Sequence, residues 1–98
     1  MSYAETIRKH RRLAILRHLE RCADYTSNAS ILVDVLDGVG VRSSRDQVVT
    51  ELSWLEENGF VALSDNDGFI LAVATKQGAE IATGRASHPK IQRPSPKG

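Results

Sequence analysis

The sequence predicts one small α+β domain that is mainly helical. Three stretches of the 98-residue chain carry apolar residues at helical spacing, and short breaks with glycine or capping residues separate them. After the third stretch the pattern changes to two runs of β-forming residues on either side of an Asp-Gly pair. The length is below the usual span of one domain, so two domains are nearly excluded.

The first predicted helix runs from Ser2 to about Ala23, a stretch without Gly or Pro. At about 100° per residue, one apolar stripe forms its core face. That stripe contains Ile15, Leu16, Leu19, Cys22 and Ala23. Ile7, His10, Leu13 and Ala14 lie on a different side. A helix with two such faces is expected to pack against two neighbours.

The second predicted helix follows a break at residues 24–28, where Ser27 or Asn28 can cap it. Its apolar positions repeat at helical spacing and are Ile31, Leu32, Val35, Leu36 and Val39. Gly40 is placed to end it, as glycine commonly does at a helix C-terminus.

The third predicted helix begins only a few residues later, where Ser43 or Ser44 can cap it. Ser44-x-x-Gln47 matches a capping box. The helix extends to Asn58, and its inner face carries Val48, Leu52 and Leu55.

Two strands and a short helix complete the predicted elements. Residues 60–63 and 69–73 are rich in β-formers, and Asp67-Gly68 between them is a strong hairpin signal. Thr75 can cap a fourth helix at residues 76–83, ended by Gly84. Residues 85–98 contain all three prolines, four basic residues and no acid, which predicts a disordered basic tail after a domain at residues 1–84.

The predicted elements follow the order of a winged helix-turn-helix: two helices, a short turn, a third helix and a hairpin. In that fold the third helix can enter a DNA major groove. One part of the sequence is similar to bacterial regulators of the arsenical-repressor type. The residues that carry this similarity are Val48, Leu52, Leu55, Glu56, Gly59-Phe60-Val61, Leu71, Thr75 and Gly78. Further residues resemble small winged-helix proteins of Mu-like phages and prophages, and these are Arg11-Arg12-Leu13, Ser44-Arg45-Asp46-Gln47-Val48, Leu52, Trp54 and Leu55. The resemblance covers roughly residues 3–85. It implies DNA binding, often as a dimer, in gene control or phage DNA handling.

Charge is segregated along the chain, although 13 basic and 12 acidic residues leave a formal charge of only +1. Residues 1–21 carry six basic and two acidic side chains, and residues 69–98 carry five and one. Residues 22–68 carry two basic and nine acidic side chains. Near-neutrality is therefore a cancellation of two basic ends against an acidic middle.

The candidate DNA-binding residues lie at the start of the third helix and in the hairpin. They are Arg42, Ser43, Arg45, Gln47, Thr50 and Asn66. Gln can pair with an adenine edge and Arg with guanine, and a helix N-terminus favours phosphate. Glu51, Glu56 and Glu57 leave open the alternative that this helix presents a solvated acidic face. Basic arms that could follow phosphates are predicted at Arg8, Lys9, Arg11, Arg12, Lys90, Arg93 and Lys97, with solubilising ends as the alternative.

A homodimer is predicted through the second face of the first helix, with Ile7, Leu13, Ala14 and Trp54 at the interface. Trp54 could instead pack under the wing. His18 and Cys22 are four residues apart but lack further ligands, so no metal site or cofactor is expected.

No enzyme is predicted, because the chain has no nucleophile elbow, phosphate loop or paired-His motif. One cysteine excludes an internal disulfide, and no apolar run is long enough for a membrane span, so a cytoplasmic location is expected. Two functions remain: a DNA-binding regulator of phage or prophage type, or a winged-helix module that binds a phage protein in DNA packaging or assembly.

Overall fold

The structure is a computed structural model that describes residues 2–95. Its four α-helices are α1 (Tyr3–Arg21), α2 (Ala29–Gly38), α3 (Arg45–Glu57) and α4 (Lys76–Thr83). Three strands complete the α+β fold: β1 (Thr26–Asn28), β2 (Val61–Asn66) and β3 (Phe69–Ala74). The predicted helices and hairpin are thus present in the predicted order. None of the helices among residues 2–95 has the length and apolar character needed to cross a membrane.

The sheet is antiparallel, with the strand order β1-β3-β2. Ala72 in the central strand pairs with Ser27 of β1 on one side and with Leu63 of β2 on the other. The sequence does not predict β1, since its three residues are polar and follow no strand pattern. Its ladder is formed with β3, more than forty residues later in the chain, so local sequence gives no sign of it.

Side-chain caps set the starts of the helices. Asn28 rather than Ser27 caps α2, and its Oδ1 accepts from Ile31 N–H at 2.9 Å. Ser44 caps α3, where both hydrogen bonds of the predicted capping box with Gln47 are present. Thr75 caps α4 as predicted, and Gly84 ends that helix in the left-handed conformation. These predictions are confirmed.

The hairpin turn is formed by the predicted Asp-Gly pair. Asp67 has φ 55° and Gly68 has φ 86°, two consecutive positive φ angles that a two-residue turn between twisted strands favours. The Asp65 carboxylate accepts from Gly68 N–H at 2.8 Å and holds the turn.

The core lies between the four helices and the inner face of the sheet. Its fully buried large residues include Ile15, Leu16, Leu19, Leu32, Leu36, Val48, Leu52 and Leu55. Two predicted core positions differ, since Cys22 is half-buried and Ala23 is exposed. The reason is that α1 ends at Arg21, so the helical stripe does not extend to them.

Residues 85–95 do not behave as the predicted disordered tail. Ile91 is buried in the core, and Gln92 N–H donates to the Lys9 carbonyl of α1 at 3.2 Å. The prediction that the domain ends at residue 84 is therefore wrong for this segment. One buried apolar residue among prolines and basic residues has no periodicity that could indicate its packing. Residues 96–98, including the basic-arm candidate Lys97, lie outside the described residues.

Candidate functional site

A buried cluster of charges joins α1 to α3. Nε of Arg12 lies 2.7 Å from Oε1 of Glu51, Nε of Arg8 lies 3.0 Å from Oε2, and Nη1 of Arg11 lies 3.9 Å from Oε2. The side chains of Glu51, Arg11 and Arg12 are only 2–6% exposed, whereas that of Arg8 is 46% exposed. Buried charges persist only when they are paired and hydrogen-bonded, so this cluster is a structural link between the two helices.

Two expectations from sequence are therefore wrong. Arg11 and Arg12 are not basic arms, because Glu51 and other buried groups engage them. Glu51 is not part of a solvated acidic face. A signal for this was present, since Glu51 stands three residues after Val48 and four before Leu55, inside the apolar stripe of α3. A carboxylate at such a position requires a buried cationic partner.

Arg11 also fixes the turn that leads into α3. Its Nε donates to Ser43 Oγ at 2.6 Å, and Ser43 Oγ donates to the Val41 carbonyl at 2.7 Å. Burial lowers the pKa of the Arg11 guanidinium from its usual value; the Glu51 carboxylate opposes this shift, while Arg8 and Arg12 reinforce it. Ser43 is buried, so its predicted role as a DNA contact is wrong.

Trp54 is covered by groups of its own chain. The Arg12 guanidinium lies over the indole at 3.9 Å from the ring centroid, a cation–π contact. The His88 ring meets Trp54 edge-on at 5.3 Å, and Phe60 lies 6.5 Å away. The tryptophan thus packs beneath residues 85–95, which leaves little of it for a dimer interface. Leu13, another predicted interface residue, is only 6% exposed.

The amino-terminal end of α3 remains open to solvent. Arg42, Arg45, Gln47 and Thr50 are all exposed. The Arg42 side chain is 91% exposed and its Nε lies 3.5 Å from Asp37. Gln47 uses its Oε1 to accept from Ser44 N–H. Four of the six predicted DNA-binding residues are therefore exposed between residues 42 and 50, and we call this exposed region the α3 amino-terminal face.

Arg45 connects this face to the hairpin. Its guanidinium donates to the Gly68 carbonyl in the turn and, at 3.4 Å, to Ser30 Oγ at the start of α2. Asn66, the sixth predicted residue, is exposed beside the turn. Asp65 and Asp67 make the hairpin tip acidic. The tip is held close to the start of α3 by the contact of Arg45 with Gly68.

The basic arms converge on α1. Arg8, Lys9 and Lys90 line one cavity of about 310 Å³ together with Arg12, Glu5 and Trp54. Arg93 lines another of about 390 Å³ with Arg17 and Arg21. The last two are not among the sequence-predicted residues. Their signal was a spacing of four residues, which places both arginines on the same side of α1.

His18 lies in a small polar cluster. Its Nε2 is 3.1 Å from Ser27 Oγ and 3.4 Å from Cys22 Sγ. Burial lowers the pKa of His18 from its usual value. Across residues 2–95, no group of three His, Cys, Asp or Glu side chains is arranged to hold a metal ion.

Comparison with known proteins finds one relative in a phage and one in a bacterium. No family model matches it. The protein gp26 of Escherichia phage Mu is 38% identical over 93 residues, which cover 95% of this chain and 96% of gp26. A protein of Haemophilus influenzae is also 38% identical, over 98 residues that cover 99% of this chain and 95% of that protein. The chain belongs to the family that includes phage Mu gp26 and this H. influenzae protein.

Proposed function

We propose that the chain is a winged-helix DNA-binding protein that places α3 in a major groove and the β2–β3 hairpin beside it. The order α1-β1-α2-α3-β2-β3 and the sheet order β1-β3-β2 support a winged-helix architecture. The observation that carries DNA binding is the exposure of Arg42, Arg45, Gln47 and Thr50 around the start of α3.

The side chains on the α3 amino-terminal face suit base edges. Gln47 and Thr50 are three residues apart and share a side of the helix. An amide of Gln can pair with the N6/N7 edge of adenine, and a guanidinium can pair with O6/N7 of guanine. Arg42 and Arg45 stand at the helix N-terminus, where backbone N–H groups attract a phosphate.

Of the exposed acidic residues of α3, Asp46 lies at this face, where it lines a cavity with Gln47 and Thr50. Glu51 points inward to Arg8 and Arg12. Glu56 accepts from Leu63 N–H at 2.9 Å, which ties its carboxylate to β2. Asp46 and Glu57 are the exposed acids of α3 that remain. Two of the acidic residues in the middle of the sequence, Glu51 and Glu56, are thus engaged by other groups of the protein. The repulsion between α3 and a DNA backbone is correspondingly smaller.

The biological role we propose is transcriptional regulation of phage or prophage type. A relative encoded by phage Mu supports that setting. We also propose a homodimer that uses the exposed side of α1, where Ile7 and Ala14 remain partly accessible. Two protomers would then present two α3 helices to two half-sites.

The variant Gln47→Glu tests base recognition by α3. A Glu at this position keeps the capping box but loses the amide donor needed for adenine. We expect about 10-fold weaker binding to a duplex selected from a random pool, since one good bidentate contact is worth about 1–3 kcal/mol. The control is Gln77→Glu, the same charge change at an exposed site on α4. Equal losses in the two variants would contradict the proposal.

A second candidate is a protein-binding module for phage packaging or assembly. The hairpin favours it, since Asp65 and Asp67 form an acidic tip next to Phe69, whose side chain is 51% exposed. Such a tip suits a basic partner with an apolar pocket. Absence of duplex binding even at about 50 mM salt, where phosphate contacts are strongest, would favour this candidate over DNA recognition.

A further inference from the structure

Three arginines line one cavity between α1 and the end of α4. Arg17 and Arg21 lie one turn apart in the second half of α1, and residues 85–95 bring Arg93 to the same cavity. The cavity holds about 390 Å³ and is also lined by the end of α4 at Thr83 and Gly84. We call these three residues the arginine band.

Among residues 2–95, no carboxylate forms an ion pair with the arginine band. Within residues 2–95, the four ion pairs closer than 4.0 Å involve Arg8, Arg11, Arg12 and Arg42 and none of the three band arginines. Glu20 is the acid that lines the cavity, so the site carries a net positive charge of about two. Like charges held this close repel one another unless an anion is bound between them.

The band continues toward α3. Arg17 and Arg21 also line a second cavity of about 300 Å³, which lies between α1 and α2 and includes Val39 and Val41. Val41 directly precedes Arg42 at the edge of the α3 amino-terminal face. Arg17 and Arg21 thus share a cavity with the residue next to Arg42.

We propose that Arg17, Arg21 and Arg93 bind phosphate groups of a nucleic-acid backbone that extends beyond the groove contacted by α3. The inference rests on the proposed function and adds a second contact surface to it. Guanidinium groups present planar forks of N–H donors that match phosphate oxygens. Phosphates repeat along a nucleic-acid backbone, and arginines that have no ion-pair partner among residues 2–95 are complementary to them.

The test compares two double variants in fluorescence anisotropy with a random-sequence duplex at about 50–200 mM salt. Arg17→Gln with Arg21→Gln removes two positive charges from the band. Lys76→Gln with Arg85→Gln removes two from a cavity where Glu20 and Glu80 already balance them. The slope of log affinity against log salt is negative, and each phosphate contact contributes about 0.9 to its magnitude. We therefore expect the band variant to have a slope about 1.8 smaller in magnitude than that of the wild type. Equal slopes in the two variants would overturn the inference.

A separate titration with inorganic pyrophosphate distinguishes failure of this inference from failure of the proposed function. Nε–H resonances of Arg17, Arg21 and Arg93 should shift together in NMR spectra of the intact chain. Such shifts in a protein whose duplex binding is unchanged by Gln47→Glu would support the band and reject base recognition through α3. Shifts in a protein that binds no duplex would overturn a nucleic acid as the ligand of the band. Unmoved band resonances would overturn the site, whatever the Gln47→Glu variant shows.

Discussion

Nε of Arg12 lies 2.7 Å from Oε1 of Glu51 inside the protein, although 39 residues separate the two in the chain. This bond fixes the position of α3 against α1. It also keeps the Glu51 carboxylate buried, away from the side of α3 that faces solvent. The same contact therefore serves the fold and the proposed function.

Replacing Glu51 by Gln should destabilise the protein strongly. The variant keeps the size of the side chain but leaves the buried guanidinium groups of Arg11 and Arg12 without a counter-charge, which costs about 3–5 kcal/mol. Urea unfolding followed by circular dichroism measures the change. Glu57→Gln, on the exposed side of α3, should alter stability by less than about 0.5 kcal/mol. Similar midpoints for the two variants would show that the buried cluster contributes little.

Two glycine-to-alanine variants should have opposite effects. A Cβ at Gly78 would clash with the Phe60 carbonyl oxygen and make a close contact with Leu16. We therefore expect Gly78→Ala to lower the free energy of unfolding by about 1–3 kcal/mol. A Cβ at Gly38, also helical, meets nothing within 4 Å, so Gly38→Ala should leave stability unchanged or raise it by about 0.5–1 kcal/mol. Thermal unfolding compares them. A stable Gly78→Ala protein would contradict the close approach of α4 to the α3–β2 junction.

Stability should fall in mild acid because of His18. Burial lowers the pKa of His18 below the 6.5 of an unperturbed imidazole, so the unfolded chain binds a proton more readily than the folded one. The contribution of the neutral ring is full above pH 6.5 and is lost as the pH falls below it. The unfolding free energy of the wild type should decrease from pH 7.5 to pH 5.5.

The variant His18→Asn should show a smaller decrease over the same range, whereas His10→Asn, at an exposed site on α1, should retain it. Urea titrations at several pH values measure the difference. An unchanged pH profile in His18→Asn would contradict the assignment.

The dimer predicts a mass of twice 10.8 kDa in light scattering at micromolar concentration. Ala14→Lys should convert it to the monomer, because its ammonium would be buried at the interface near Arg17 and Arg21, in a cavity whose lining holds no carboxylate. Ala62→Lys, at an exposed position of β2, should leave the dimer intact. A wild-type mass of 10.8 kDa would exclude the dimer.

Local signals were sufficient where a structure depends on neighbouring residues. Ser44 and Gln47 carry a complete capping box in four positions, and Asp67-Gly68 forms the hairpin turn by its own conformational preferences. The bounds of α4 follow from Thr75 and Gly84 in the same way. Each of these features was predictable because its interactions are formed within a few residues.

Features that depend on distant residues were not predictable. The strand β1 forms because it pairs with β3. Ile91 is buried because it packs in the hydrophobic core. Charge counts along the chain place Arg11 and Arg12 among basic arms, whereas folding pairs them with Glu51. The candidate site changed accordingly, since it lost Ser43, Arg11 and Arg12 and gained Arg17 and Arg21.

Binding of DNA by the α3 amino-terminal face is tested most directly by a map of amide chemical-shift changes. A duplex selected from a random pool is titrated into the ¹⁵N-labelled chain. We predict the largest shifts at residues 42–50 and at residues 64–68 of the hairpin. Shifts confined to other surfaces, or none at about 50 mM salt, would contradict the claim.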